Sequence, residues 1–574
     1  MQDAQAQFQA AVAAFRSGRL DVAAEICREL RTGAPDNPAV LHLAGAVALR
    51  RGEKEAALSL LTAASAANPA DPAIRVNLGN AYKAAGRLGE AAEAFREATN
   101  QAPGHAGAWF NLGNAVAALG RSKAAEDAYR KVLSLRPEHA GASFNLAGLL
   151  AGRGAHADAR EAYGRAAAAN PRSVEAQLGL GNMARLMGDL PAAVAAFEAA
   201  LALRPNHAAA ALALGHARRE LGDLPAAVAA YRRAGEDAAP LAALANALGD
   251  AGDLAGSAAA YERALAKDDK NAAVWSNLGW TYVELGRLDE AVAACERAVA
   301  IDPGFANAHY HLGLAQQRRD RPEAARESLE RAIAINPRYV RAHSTLGLVH
   351  GDLGRDADVA RMFDYDRLLG RRDFETVDGF GEVEAFNREL AAYVRGHESL
   401  LWDRPGRSTT LGSQTLDIAA DAAPVVRAFD GMVREAASSY LSQQLADAAC
   451  DYFRDPPMDW RLVVWGVVLR RGGHQSPHNH PSGFISGVYY VELPDAVAAA
   501  APAGFIEFGA SNVADVGGGN RALARTRVIR PETGAMLLFP SYFWHRTIPF
   551  ESDQERISVA FDVVPRSPAS DESD

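Results

Sequence analysis

The stretch HAGAWFNLGNAVAALGRSKAAEDAYRKVLSLRP, residues 105–137, decides the architecture of most of this chain. Trp109, Leu112, Gly113 and Val116 recur at helical spacing, and Gly120-Arg121 breaks that helix. Ala124, Ala128 and Val132 stripe a second helix, which Pro137 closes. Small residues at Gly113 and Ala128 let the two helices approach closely. The unit reads as a helical hairpin.

The hairpin repeats. Glycines stand at 18, 52, 86, 120, 154, 188 and 222, and prolines at 69, 103, 137, 171 and 205, both at a step of 34. The next matching glycine, Gly252, comes after 30 residues, and the step of 34 returns at Gly286, Asp320 and Gly354. Eleven turn positions result, and one repeat near 236–245 has lost about one helical turn. The pattern resembles the tetratricopeptide repeat over residues 1–370. That resemblance implies an all-α solenoid with a long concave face suited to a protein or peptide partner.

Asn77, Asn111, Asn145 and Asn277 occupy one position of their repeats, on the first helix, which lines the concave face in this family. A ladder of amides hydrogen-bonds an extended peptide backbone, because each offers donors and an acceptor. The array resembles the asparagine ladder of the O-GlcNAc transferase repeats. The alternative is that "NLG" is repeat consensus fixed by local packing. His311, Thr345, Gly179 and Ala213 stand at the equivalent positions elsewhere.

The totals exclude several classes. A net charge of −10 argues against a general grip on nucleic acid, which needs a basic footprint. Cys27, Cys295 and Cys450 are far apart and form no CxxC pair, which excludes a cysteine zinc finger and a disulfide framework. No run of about 18 apolar residues spans a membrane. The start, MQDAQAQFQA, lacks the basic and apolar regions of a secretory signal, so a cytoplasmic location is expected.

Near residue 371 the grammar changes. Helical patterns at 383–397 and 423–445 give way to short β-branched and aromatic runs at 460–470, 484–493, 504–509, 526–531, 535–540 and 556–565. Such strands predict a sandwich or jelly roll over 371–566. ADVGGGNRAL (514–523) reads as a mobile loop, and the tail 567–574 as disordered.

Inside this frame HQSPHNHPSG (474–483) holds three histidines. His478 and His480 are two apart, so in an extended segment both rings face one way and reach one metal. His545 follows 65 residues after His480, at the end of an apolar strand, and Arg556 comes 11 residues later. Strand parity puts Arg556 and Ser558 on one face, and an arginine among apolar residues needs an anion.

The set His478, position 480, His545, Arg556 and Ser558 resembles the iron(II)- and 2-oxoglutarate-dependent oxygenases, most closely a bacterial and phage branch. The resemblance implies a double-stranded β-helix (jelly-roll) domain and a dioxygenase using Fe(II), 2-oxoglutarate and O2. It implies that His478, His480 and His545 hold the metal, and that Arg556 pairs with the distal carboxylate of 2-oxoglutarate beside Ser558. Tyr490 is a further candidate at that carboxylate, and Phe484, Phe508 and Phe539 are expected to line a dry pocket. Position 480 departs from the family, in which a carboxylate usually stands. A three-histidine site, a two-histidine site with water, and a triad closed by Glu492 or Glu507 all stay open, as does zinc in place of iron. His474 reads as a loop residue or an outer donor.

The repeats imply that the substrate is a protein or peptide, hydroxylated while they present it. The competing readings are a non-catalytic scaffold with a degenerate barrel, a glycosyltransferase, and an HNH nuclease. About 200 mostly strand-forming residues leave no room for a glycosyltransferase. The acidic balance and the strand after Pro481 speak against a nuclease.

Overall fold

The computed structural model describes residues 2–404, 408–446, 450–499, 502–510 and 526–566. The loop expected at 514–523 and the tail at 567–574 lie outside the described residues. By its contacts the chain divides into two compact units, Met1–Glu236 and Asp237–Asp574.

The first unit consists of helical hairpins stacked in sequence order, and Ala106–Ala118 with Ser122–Leu135 is a representative pair. The repeated glycine makes the turn: Gly120 has φ 73°, a left-handed conformation that a Cβ disfavours. All eleven turn positions share it, including Asp320 at φ 58°. The repeated proline is followed two residues on by an N-cap. The side chains of Asn37, Asp71, His105, His139, Ser173 and His207 each accept a hydrogen bond from a backbone N–H in the first turn.

Gly113 is small because of Tyr129: a Cβ at 113 would lie 2.6 Å from the Tyr129 ring. The same spacing joins Gly79 to Phe95, Gly181 to Phe197 and Gly215 to Tyr231. The close approach read from Gly113 and Ala128 therefore seats the aromatic ring at 129. The shortened repeat is also relocated. The sequence puts the loss near 236–245, whereas three of the four missing residues come from helix Leu224–Ala234, which has 11 residues where Leu190–Leu203 has 14, and the fourth from the connector at 235–237. A glycine-to-glycine count measures total length and cannot say which segment gave way.

The second unit continues the hairpins from Ala238–Asp250 to Val340–Asp352. The last second helix, Asp356–Met362, has only 7 residues. Phe363 still covers Gly347 as Phe95 covers Gly79, and then the chain enters a sheet. The strands are β1 (Gly370–Asp373), β2 (Thr376–Val377), β3 (Gly381–Glu382), β4 (Leu401–Trp402), β5 (Thr409–Gln414) and β6 (Trp460–His478). They continue as β7 (Ile485–Glu492), β8 (Ile506–Phe508), β9 (Arg527–Ile529), β10 (Ala535–Pro540), β11 (His545–Thr547) and β12 (Arg556–Pro565).

The main sheet runs β1-β10-β7-β12-β6-β11-β8-β9, with β5 also on β6 and β4 on β5, and every pairing is antiparallel. The curled antiparallel sheet fits the expected jelly roll. Helices Val383–Gly396 and Pro424–Ala446 supply Phe386 and Phe429 to its core.

Two details differ from the sequence reading. β6 extends past 470 to His478, because β5 and β11 pair with its second half although RGGHQSPH carries turn chemistry. The apolar run ending near His545 is two strands: β10 stops at Pro540, and His545 opens β11. The core also reaches back across the boundary expected at 371. Val340, Leu348, Phe363, Tyr365 and Leu368 are buried in one cluster with Tyr452, Tyr542 and Phe543. Among the described residues, no helix is long and apolar enough to cross a membrane.

Candidate metal centre

β6 ends on His478, and β11 opens on His545 directly opposite it in register. His480 follows two residues on, its backbone N–H held by the Ser541 carbonyl at 3.1 Å. One ring nitrogen from each of the three histidines lies within 4.8 Å of the other two. The ring centroids are 4.3 Å apart for His478–His545 and 5.1 Å for each ring with His480.

Each Nδ1 already has an acceptor. His478 Nδ1 is 2.8 Å from the Ser476 carbonyl, His545 Nδ1 is 3.1 Å from the Phe543 carbonyl, and His480 Nδ1 is 2.7 Å from Asp562 Oδ1. An acceptor at Nδ1 fixes the proton there and leaves the Nε2 lone pair for another partner. His480 Nε2 is buried without any partner among the described residues. Burial, aided by the neighbouring rings, holds His478 neutral with its pKa pushed down to about 3, and holds His545 well below the ordinary histidine range. Rings whose Nδ1 is engaged and whose Nε2 lone pairs converge present the donor set a metal requires.

The walls are apolar. Trp465 stacks on His480 at 5.6 Å, and Phe539 and Phe508 face His545 at 4.8 and 5.9 Å. Phe484, expected beside them, instead stacks on Tyr452 at 4.9 Å and takes no part in this wall. His474 lies outside the cluster, with its Nδ1 3.1 Å from the Gly472 carbonyl.

Arg556, Ser558 and Tyr490 line the same narrow cavity as the three histidines. Tyr490 lies opposite Ser558 in the β7–β12 register, and its ring sits 5.3 Å from the guanidinium of Arg556. Arg556 is 1% exposed and donates to Ser558 Oγ at 3.3 Å. Its Nε and the Tyr490 hydroxyl have no partner among the described residues. Burial lowers the arginine pKa and pushes the tyrosine up to about 12. A cation this buried with no carboxylate is costly unless an anion enters the cavity.

The acids named from sequence are elsewhere: Glu492 pairs with Arg395 and Glu507 with Arg546. The carboxylate at the cluster is Asp562, which sequence reasoning missed. The parity that picked out Arg556 and Ser558 continues through position 560 to Asp562 on the same strand, so a usable signal was present. A second, open cleft of about 510 Å³ meets the inner cavity at His478, His480, Trp465 and Gln475.

In the first unit the amides of Asn77, Asn111 and Asn145 each reach back to the preceding repeat. Asn77 Nδ2 is 2.6 Å from His42 Nε2, Asn111 Nδ2 is 3.3 Å from Asn80 Oδ1, and Asn145 Nδ2 is 2.8 Å from Asn114 Oδ1. Asn114 and Asn145 line an open cavity of about 380 Å³ with Tyr129 and Phe144. Asn277 belongs to the second unit, on helix Ala272–Glu284.

Comparison with known families agrees with both halves. The tetratricopeptide-repeat family matches residues 2–38, 42–106, 77–138, 110–173, 150–190, 184–243 and 242–304, and a second tetratricopeptide-repeat family matches 289–349. The family described as "Putative 2OG-Fe(II) oxygenase" matches residues 463–562, which contain all three histidines, Arg556, Ser558 and Asp562. No curated protein matches the chain. Among solved structures, the chain is similar to YrrB, titled a tetratricopeptide-repeat protein with an unusual peptide-binding site. That match has 23% identity and a TM-score of 0.29, and covers 32% of this chain and 96% of the other. It is also similar to a tetratricopeptide repeat protein of Parabacteroides merdae (20% identity, TM-score 0.32, covering 41% and 93%). A third is pilF of Pseudomonas aeruginosa (18% identity, TM-score 0.34, covering 38% and 98%).

Proposed function

The chain belongs to the tetratricopeptide-repeat proteins and carries a C-terminal domain that matches the family described as "Putative 2OG-Fe(II) oxygenase", and we propose that it is a dioxygenase acting on a protein or peptide held by its repeats. One observation carries the reading: three histidines converge with every Nδ1 engaged, beside a buried arginine whose Nε has no partner among the described residues. In this reading His478, His480 and His545 hold Fe(II) through Nε2. Arg556 receives the distal carboxylate of 2-oxoglutarate, with Ser558 donating beside it. Tyr490 supports the guanidinium with its ring, and its hydroxyl, without a partner among the described residues, is proposed to serve the same group. When bound, Fe(II) with 2-oxoglutarate and O2 supplies the oxidative chemistry that hydroxylates a C–H bond and releases succinate and CO2.

The chain's own residues do the remaining work. Trp465, Phe508 and Phe539 keep water from the inner cavity, which strengthens the pairing at Arg556. The open cleft beside His480 gives a polypeptide side chain access from outside. Asn77, Asn111 and Asn145, and Asn277 in the second unit, are the proposed peptide contacts. Their links to the preceding repeat hold the amides in place before a ligand arrives, which lowers the cost of ordering them.

The test is succinate release from 2-oxoglutarate by the full chain with Fe(II), offered peptide pools. The reading predicts peptide-stimulated release that Asn111→Ala with Asn145→Ala reduces about 10-fold or more, with basal release unchanged. Release that ignores peptides and the ladder alike would sink the peptide-substrate reading.

A further inference from the structure

We infer that Asp562 is a positioning residue of the metal centre, supplying through the ring of His480 the negative charge that position 480 itself lacks. The inference rests on the three-histidine reading above. Two of the three rings point Nδ1 at backbone carbonyls, which are neutral. The third points Nδ1 at a carboxylate oxygen 2.7 Å away. A carboxylate in that place makes the imidazole a stronger donor at its other nitrogen and locks its orientation.

The surroundings hold the carboxylate for this purpose. Asp562 Oδ1 also accepts from Ser486 Oγ at 2.6 Å, and Ser486 Oγ lies 2.8 Å from Ser541 Oγ. Ser486 and Ser541 are fully buried and Asp562 is 9% exposed. The Ser541 carbonyl accepts the His480 backbone N–H, so backbone and ring of His480 are anchored to one network. A Cβ at Gly483 would lie 2.6 Å from Ser541 Oγ and 3.3 Å from Asp562 Cγ, so the network is closely covered. Among the described residues no lysine or arginine pairs with Asp562. A buried carboxylate without a cation is costly. Its ion-pair partner among the described residues is the His480 imidazole, whose other nitrogen is the one proposed to hold the metal, so a cation bound there offsets the cost across the ring.

The experiment is a Co(II) titration of the metal-free, full-length protein, read from the visible absorption of the bound ion. The parent is expected to bind one equivalent, and His478→Ala to lose it. Asp562→Asn keeps an acceptor at His480 Nδ1 and removes only the charge. Its Co(II) affinity is expected to fall about 10–100-fold with displaced bands, and a fall under about tenfold with parental bands overturns the inference. That outcome leaves the three-histidine reading standing, whereas a parent that binds no Co(II) overturns both. Should Asp562→Asn not fold, ring-nitrogen NMR of the metal-free parent decides, with His480→Gln assigning the resonances. His480 protonated on Nδ1, with the furthest-downfield ring proton of the three ligands, is expected, and a proton on its Nε2 overturns the inference.

Discussion

Arg556 is the residue whose cost is plainest. A guanidinium that is 1% exposed, with no partner for Nε among the described residues, is held against its own desolvation. Replacing even a buried ion pair by apolar side chains of similar volume is often neutral or stabilising by about 1–4 kcal/mol, and a buried charge with no carboxylate partner among the described residues has less pairing to lose. Arg556→Met is therefore expected to melt no lower than the parent without ligand, and to lose most of its 2-oxoglutarate affinity. A thermal scan paired with a binding titration checks both, and a variant that melts lower while binding normally would contradict the role.

A second prediction at this scale concerns pH. Burial pushes His311 and His343 down to about 4, far from the metal ligands in sequence. Between that value and the unfolded value near 6.5, the unfolded chain takes up protons that the folded chain refuses, so stability falls as pH drops through this window. Each costs on the order of 2 kcal/mol at pH 5. Melting temperature against pH should decline from pH 7 to 5, and His311→Gln should flatten the decline. Parallel curves for parent and variant would refute this.

At the scale of elements, the hairpins were legible because their information is local. A glycine with φ near 75° at the turn, a cap two residues after the proline, and a glycine opposite an aromatic ring all lie within one repeat. Gly113→Ala puts a methyl into the Tyr129 ring and is expected to cost about 1–3 kcal/mol. Amide exchange should speed up in helices Ala106–Ala118 and Ser122–Leu135, and unchanged exchange there would contradict the packing. The sheet was only half legible. Runs rich in Val, Ile and Phe announced β7, β10 and β12, whereas β5 and the far half of β6 are extended because distant strands pair with them. The same contrast holds at the site. His478, His480, Arg556 and Ser558 follow from spacing and parity, and parity also puts Asp562 on the face of Arg556, but its partner His480, 82 residues earlier in the chain, is set by the folding of β12.

At the scale of the whole molecule, the last repeat is part of the sheet domain. His343 stacks on Tyr542 at 5.3 Å, and Ser344 Oγ accepts from Asn479, which lies between His478 and His480. A chain begun at residue 371 would lack Val340, Leu348, Phe363, Tyr365 and Leu368 and would leave Tyr452, Tyr542 and Phe543 uncovered. Burying each such side chain is worth about 1.5–3 kcal/mol. That truncation is expected to aggregate, as soluble yield and near-ultraviolet circular dichroism would show. A folded, soluble fragment would mean that the shared core is dispensable.

In the proposed site His478, His480 and His545 hold iron, and Arg556 completes it for 2-oxoglutarate. The most direct measurement adds Fe(II) and 2-oxoglutarate to the full-length protein without oxygen and records the visible charge-transfer band of the chelate. A band is expected in the parent, none in His478→Ala, and in Arg556→Ala a band that needs far more 2-oxoglutarate. No band in the parent, with no iron retained, would contradict it.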